Sequence, residues 1–164
     1  MIKLLILDVD GCLTDGKIIY SSDGTETKNF NVKDGLAISS WIKMGFDVAI
    51  ITGRNSKIVE HRANELGIKY LYQGVKDKEI VLRELVALLN VDLCEVAAIG
   101  DDLNDYKMLK SVGRSFTPSD GVKEIKELVS TTLTCKGGNC AVREMIDILV
   151  FENSLQDKFL AAWL

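Results

Sequence analysis

Acidic residues gather at two places in this chain, and at both they follow directly on an apolar run. Residues 4–11 read LLILDVDG and residues 96–105 read VAAIGDDLND. Leu4, Leu5, Ile6 and Leu7 favour burial, whereas Asp8 and Asp10 resist it, because an unpaired buried carboxylate costs several kcal/mol. Asp101, Asp102 and Asp105 repeat the pattern at the second place. If the two apolar runs are neighbouring strands, the carboxylates converge and need a cation between them. An all-oxygen ligand set selects Mg²⁺, which keeps several waters and usually takes a phosphate oxygen as a further ligand.

Two other segments carry the complementary chemistry. ITGR, residues 51–54, offers the Thr52 hydroxyl and the backbone N–H groups around Gly53, donors suited to phosphate. GVKDK, residues 74–78, puts Lys76 and Lys78 at the start of a helical stretch, where a lysine balances carboxylate and phosphate charge. A nucleophilic carboxylate, a metal site, a hydroxyl and a lysine are the equipment of phosphoryl transfer, in which positioning and charge stabilisation dominate. Singly these features are weak. Asp-x-Asp occurs in many loops, Gly-Asp-Asp can be a turn, and Lys78 can be a solvated helix-start residue. In this order, each at or just beyond a predicted strand end, they point to one site.

The elements that must position them follow from periodicity. Short apolar runs predict strands over residues 2–7, 46–52, 70–72, 96–100 and 114–117, the last ended by Pro118, the only proline. Helical patterns fill the intervals at 36–44 (capped by Asp34), 56–66 (after Asn55), 77–89, 104–111, 121–129 and 141–151. Such alternation predicts an α/β fold with a doubly wound parallel sheet and right-handed crossovers. In that architecture ligands bind beyond the carboxyl ends of the strands. Residues 17–32 break the rhythm. Two β-prone runs flank Asp23-Gly24, which predicts a β-hairpin with a tight two-residue turn, inserted after the first strand. From Ser154 onward, Leu155, Phe159 and Trp163 recur every four residues, joined by Leu160 and Leu164. The tail at 154–164 thus reads as an amphipathic helix, with its own domain or a neighbouring subunit as the surface it covers.

Composition bounds the reading. The 164 residues favour a single domain over 1–164. A hydrophobic content of 47% with 27% charged residues is that of an ordinary globular protein, and a net charge of −4 argues against non-specific nucleic-acid binding. No apolar run approaches the roughly 18 residues of a membrane span, and no secretion-signal pattern opens the chain. A cytoplasmic location is expected, with Cys12, Cys94, Cys135 and Cys140 reduced. Cys135 and Cys140 resemble half a zinc site, but no second pair completes it, and His61, the only histidine, lies in a polar helical context.

These segments resemble the four signatures of the haloacid dehalogenase superfamily: DVDG at 8–11, Thr52, Lys78, and GDD at 100–102 with Asp105. The resemblance implies that Asp8 attacks phosphorus and becomes an aspartyl-phosphate. Asp10 would protonate the leaving oxygen and then deprotonate the hydrolytic water. Mg²⁺ would be held by the Asp8 carboxylate, the Asp10 backbone carbonyl and Asp101. Thr52, Gly53 and Lys78 would grip the phosphoryl oxygens, with Asp105 and Asp102 orienting Lys78 and the metal waters. A carboxylic acid two residues after the nucleophile suits a phosphatase facing a poor alkoxide leaving group; the family's ATPases carry Thr there. Cys12 has no base near it in sequence and reads as a bystander.

Closer features resemble the capless branch that comprises the 3-deoxy-D-manno-octulosonate 8-phosphate (KDO 8-phosphate) phosphatases. They are DVDGCLTDG, the hairpin in place of a cap domain, VKDG, TGRNSKIVEHRANELGI, YQGVKDK and GGNCAVREMID. This resemblance implies hydrolysis of a phosphorylated acid sugar in lipopolysaccharide precursor biosynthesis. It also implies a homotetramer whose hairpins form a central barrel and whose subunits share active sites, since a capless pocket is otherwise open to water. Gly137-Gly138 permit a close-approaching segment near an active site, its own or a neighbour's. Asn139 and Cys140 stand where the branch often has a basic residue and a glycine. Lys33, Arg54 and Lys76 are therefore the candidates for the substrate carboxylate, and Arg143 reads as structural. The same catalytic set would serve a sialic-acid-type 9-phosphate. A non-catalytic oligomerisation module is the alternative outside enzymes, and four intact signatures argue against it.

Overall fold

Four consecutive aliphatic residues cannot all face one side of a sheet, so a strand made of them needs cover on both faces. In a computed structural model describing residues 1–164, β1 (Leu4–Leu7) has that cover along its whole length. It lies inside a six-stranded parallel sheet. From edge to edge the sheet runs Tyr70–Tyr72 (β5), Asp47–Ile51 (β4), β1, Val96–Ile99 (β6), Arg114–Thr117 (β7) and Thr131–Thr132 (β8). Alternate residues of β1 feed two cores. Leu5 and Leu7 pack with α1 (Val32–Lys43), α2 (Lys57–Leu66) and α6 (Ala141–Glu152) through Ile38, Trp41, Val59 and Met145. Leu4 and Ile6 pack with α3 (Lys78–Leu89), α4 (Tyr106–Ser111) and α5 (Lys123–Leu128) through Leu82, Leu85, Met108 and Ile125. Each fully buried aliphatic side chain contributes about 1.5–3 kcal/mol, which fixes both faces of the strand.

Register then sets the site. Leu7 lies opposite Ile50 of β4 and Ile99 of β6. Asp8, Thr52 and Gly100-Asp101 therefore emerge side by side at the carboxyl edge. The chain leaves β1 towards β4 and β5, then returns to β6 on the other side, so this edge is also the point where strand order reverses.

Several expected boundaries move. α1 starts at Val32, not Leu36, and its cap is Asn31, whose Oδ1 accepts the Lys33 N–H at 2.8 Å. Asp34 instead crosses to α6, where its Oδ1 accepts the Arg143 N–H at 2.7 Å. The α6 cap position, Cys140, has φ 73° and offers no side-chain cap, so Asp34 satisfies that helix end from outside. α4 starts at Tyr106 because Leu103–Asp105 form a separate short turn. β8 was not foreseen; two threonines without an apolar run carry no periodic signal.

The hairpin consists of β2 (Ile19–Tyr20) and β3 (Glu26–Thr27), antiparallel, with Tyr20 opposite Glu26. Its connection is longer than the expected two residues. The Ser21 N–H donates to the Thr25 carbonyl and the Gly24 N–H to the Ser21 carbonyl, both at 2.9 Å, and Gly24 takes φ 85°. The Asp23 carboxylate accepts the Thr25 N–H at 2.9 Å, which holds this wider loop in place of a two-residue turn.

The tail lies on its own chain. Beyond α7 (Gln156–Ala161), the Trp163 Nε1–H donates to Ser40 Oγ at 2.6 Å and the Lys43 ammonium sits 3.4 Å above the indole. Leu155 and Phe159 pack against the core under α1 and α6. No helix is long and apolar enough to cross a membrane.

Candidate active site

Asp8 prolongs β1 and is 4% exposed, its N–H donating to the Ile99 carbonyl at 3.2 Å. A carboxylate so buried needs a partner. It has Lys78, whose Nζ donates to Asp8 Oδ1 and to Asp105 Oδ1, each at 2.6 Å. Lys78 opens α3, and the cap carboxylate of Asp77 accepts the Glu79 N–H at 3.1 Å, so the first turn aims the lysine under the strand ends. Asp105 is fully buried; its Oδ2 accepts the N–H groups of Asp101 at 3.0 Å and Asp102 at 3.4 Å. One side chain thereby ties the loop after β6 to the lysine.

The charge does not balance within this group. Asp8, Asp101 and Asp105 face a single ammonium. Burial, then the Asp105 charge, push the Asp8 carboxyl up to about 7 against the pull of Lys78. Burial, then the Asp8 and Asp105 charges, push Asp101 up to about 8. Burial alone lowers Lys78, but the two carboxylates outweigh it and keep the ammonium charged. Two unmatched negative charges are what a divalent cation neutralises, so the donor set fits one. Oxygen atoms of Asp8 and Asp101 and the Cys12 sulfur lie within 4.8 Å of one another. Burial and the same carboxylates push the Cys12 thiol up, which leaves it protonated and a poor nucleophile.

The loop that carries these groups is tightly shaped. Gly11 has φ 96°, and a Cβ there would fall 2.1 Å from Asp101 Oδ2, inside the carboxylate. Gly137 and Gly138 approach the same loop from behind. A Cβ on Gly137 would lie 1.9 Å from the Gly11 carbonyl oxygen, and the Gly138 N–H donates to the Cys12 carbonyl at 2.9 Å. The expected close approach is thus to the backbone of the chain's own acidic loop. Neither glycine lines the cleft in front of it.

That cleft has a volume of 260 Å³ and is lined by no hydrophobic residue. Of the sequence candidates, Asp8, Asp10, Thr52, Gly53, Arg54, Asp101 and Asp102 meet there; Gly16 and Asn104 join them and were not anticipated. Lys78 and Asp105 lie beneath it. Lys76 is exposed, in a neighbouring depression that shares Asn104 with the cleft. Lys33 lines a separate concavity of 950 Å³ along α6, with Cys135, Cys140 and Arg143. That space is larger, but it contains none of the four signatures, and its carboxylates, Glu144, Asp147 and Glu152, are each engaged by partners of their own: the Thr134 and Cys135 N–H groups, Arg143 and Arg114. Arg143 pairs with Asp147 at 2.8 Å, a local helix contact.

Sequence reasoning missed the hairpin's contribution. Lys28 follows β3, and its side chain is 1% exposed; its Nζ lies 2.5 Å from Asp10 Oδ1 and 3.4 Å from Glu26 Oε1. Arg54 donates to the Tyr20 hydroxyl at 3.0 Å and to Glu26 Oε1 at 3.1 Å, with its Nε 3.8 Å from Asp10 Oδ2. Ser56 Oγ donates to Glu26 Oε2 at 2.8 Å. The available signal was the two-residue spacing of Glu26 and Lys28, which puts opposite charges on one face of a strand.

Comparison with known proteins gives a consistent family. Residues 27–113 match the family model of the haloacid dehalogenase-like hydrolases. The chain is 45% identical to the 3-deoxy-D-manno-octulosonate 8-phosphate phosphatase KdsC of Yersinia pestis over 157 residues, covering 96% of this chain and 82% of that one. Against the KdsC of Escherichia coli K12 the identity is 41%, covering 96% and 84%. Among solved structures, the Moraxella catarrhalis phosphatase of the same name, crystallised with magnesium ion, phosphate ion and KDO, superposes with a TM-score of 0.94. Its identity is 42%, with 99% of this chain and 94% of that chain covered.

Proposed function

This chain belongs to the haloacid dehalogenase-like hydrolase family, and from that premise we propose that it is a Mg²⁺-dependent phosphatase that hydrolyses KDO 8-phosphate to KDO and phosphate. The observation that carries the reading is the convergence of Asp8, Asp101 and Lys78 at one sheet edge, in front of a small polar cleft. In the proposed reaction an Asp8 carboxylate oxygen attacks phosphorus as the bond from phosphorus to the sugar oxygen breaks. The departing alkoxide takes its proton from Asp10. Water then attacks the aspartyl-phosphate, Asp10 removes its proton, and phosphate leaves with Asp8 restored. Lys78 and Thr52 hold the phosphoryl oxygens, with N–H donors around Gly53, and Asp105 keeps Lys78 in place. Asp8, the Asp10 backbone carbonyl and Asp101 would hold Mg²⁺, which when bound offsets the charge of carboxylates and phosphoryl group.

Arg54 is the candidate best placed to meet the sugar carboxylate, since it lines the cleft and its side chain is 42% exposed. Lys33, in a separate concavity, and Lys76, in the neighbouring depression, are not cleft-lining residues. The lipopolysaccharide role rests on the KdsC relatives. A homotetramer with shared sites is supported by the exposed apolar side chains of Ile18, Ile19 and Tyr20 on the hairpin, beside a cleft that no cap domain covers.

A panel of phosphorylated sugar acids, assayed with and without Mg²⁺, tests the reading. Phosphate release from KDO 8-phosphate is expected to stop with chelation and to exceed release from a sialic-acid-type 9-phosphate by at least about tenfold in kcat/KM. Reversal of that preference would move the substrate to the longer sugar. No release from any sugar phosphate would leave an oligomerisation module.

A further inference from the structure

The buried ammonium of Lys28 has no place in the four signatures, yet it touches the group assigned as acid and base. Its side chain is withdrawn from solvent to 1%, and Asp10 Oδ1, at 2.5 Å, is its nearest acceptor. The other carboxylate oxygen, Oδ2, has only the Arg54 Nε at 3.8 Å and belongs to a residue that lines the cleft. Lys28, Arg54, Asp10 and Glu26 form a compact group of two positive and two negative charges. Two of its members, Glu26 and Lys28, come from the hairpin strand β3 and the residue after it.

We propose that Lys28 is a positioning residue for Asp10. By holding Oδ1 it fixes the carboxyl rotamer and leaves Oδ2 as the oxygen that gives and takes the proton. The first step then moves the Oδ2 proton to the sugar alkoxide as the phosphorus–oxygen bond breaks and the bond to Asp8 forms. The second returns a water proton to Oδ2 as the bond to Asp8 breaks. A side chain buried to this degree does not reach substrate, so its effect passes through Asp10. The hairpin would thereby serve the chemistry of its own subunit, apart from any contact it makes with others. The inference rests on the proposed division of labour between Asp8 and Asp10.

Leaving-group dependence separates this role from a merely structural one. The ratio kcat/KM covers steps up to departure of the leaving group. A sugar alkoxide needs a proton there, whereas the nitrophenolate of p-nitrophenyl phosphate does not. Lys28→Met should lower kcat/KM on KDO 8-phosphate by about 100-fold, the low end for general acid catalysis. The loss on p-nitrophenyl phosphate should be at least about 10-fold smaller, and Lys28→Arg should recover part of the loss on the sugar phosphate. In an Asp10→Asn background, adding Lys28→Met should change kcat/KM on the sugar phosphate by less than about threefold, the non-additivity of groups acting as a unit. Equal losses on both substrates, or full additivity with Asp10→Asn, would overturn the inference. If Lys28→Met does not fold, Lys28→Arg and Lys28→Gln carry the same two-substrate comparison. If Asp10→Asn alone costs nothing on the sugar phosphate, the Asp10 assignment itself fails; if it costs activity and Lys28→Met does not, only the role of Lys28 falls.

Discussion

A carboxylate at the tip of a core strand is tolerable only if something compensates its charge, and Asp8 is compensated twice: by Lys78 at 2.6 Å and by the divalent cation its surroundings fit. Asp8→Asn keeps the shape but removes the proposed nucleophile. It should cut phosphate release by at least about 10⁴-fold while the circular dichroism spectrum stays that of the wild type; near-normal kcat would remove Asp8 from its role. The protonation of Asp8 and Asp101 gives a second expectation. Their pKa values lie above the ordinary 3.8, near 7 and 8, so without metal the site holds protons at neutral pH, and these must leave for both carboxylates to ligate. Mg²⁺ affinity should therefore rise with pH through that window, by at least about tenfold from pH 6 to pH 8.5. Calorimetry in buffers of different ionisation enthalpy would show proton release on binding; a flat affinity would mean that the carboxylates are already ionised.

Among the elements, the start of α6 is held by α1. Asp34 was expected to cap its own helix, a role that Asn31 fills, and its carboxylate instead accepts the Arg143 N–H while its Oδ2 is buried without a partner. Burial is the chief cause that pushes its pKa from 3.8 to about 6. The folded state thus binds this proton more tightly than the unfolded chain. Its contribution to stability is full below about pH 4 and is lost as pH rises through 6. Asp34→Asn retains an acceptor and removes the charge. Measured by urea unfolding, the variant should gain on the wild type between pH 4 and pH 7 by up to about 3 kcal/mol, and a pH-independent difference would place the proton elsewhere. Just before α6, Gly137 and Gly138 lay their backbone against the acidic loop, where a Cβ has no room.

At the scale of the whole molecule, the hairpin is both part of the site and a carrier of exposed apolar side chains. Ile18 and Ile19 are each 41% exposed and Tyr20 61%. If these residues join subunits, sedimentation should show a tetramer, and Ile19→Lys should shift it to smaller species and lower kcat/KM on the sugar phosphate. A chain that sediments as a monomer with full activity would show that each site works alone.

The parallel, doubly wound sheet with cover on both faces and the meeting of Asp8, Thr52, Lys78 and Asp101 at its carboxyl edge were legible in the amino-acid sequence, whereas the order of the strands was not. Runs of aliphatic residues specify buried parallel strands, and such a sheet has one edge at which ligands bind. Tertiary structure alone decided that Lys28 reaches Asp10, that Asp34 serves α6, that the tail lies over Ser40 and Lys43, and that Gly137 supports the acidic loop rather than lining the cleft. The reason is physical. Periodicity records how a residue faces its own element, whereas a long side chain from a short hairpin, or a carboxylate bridging two helices, depends on distances between elements that no local pattern encodes.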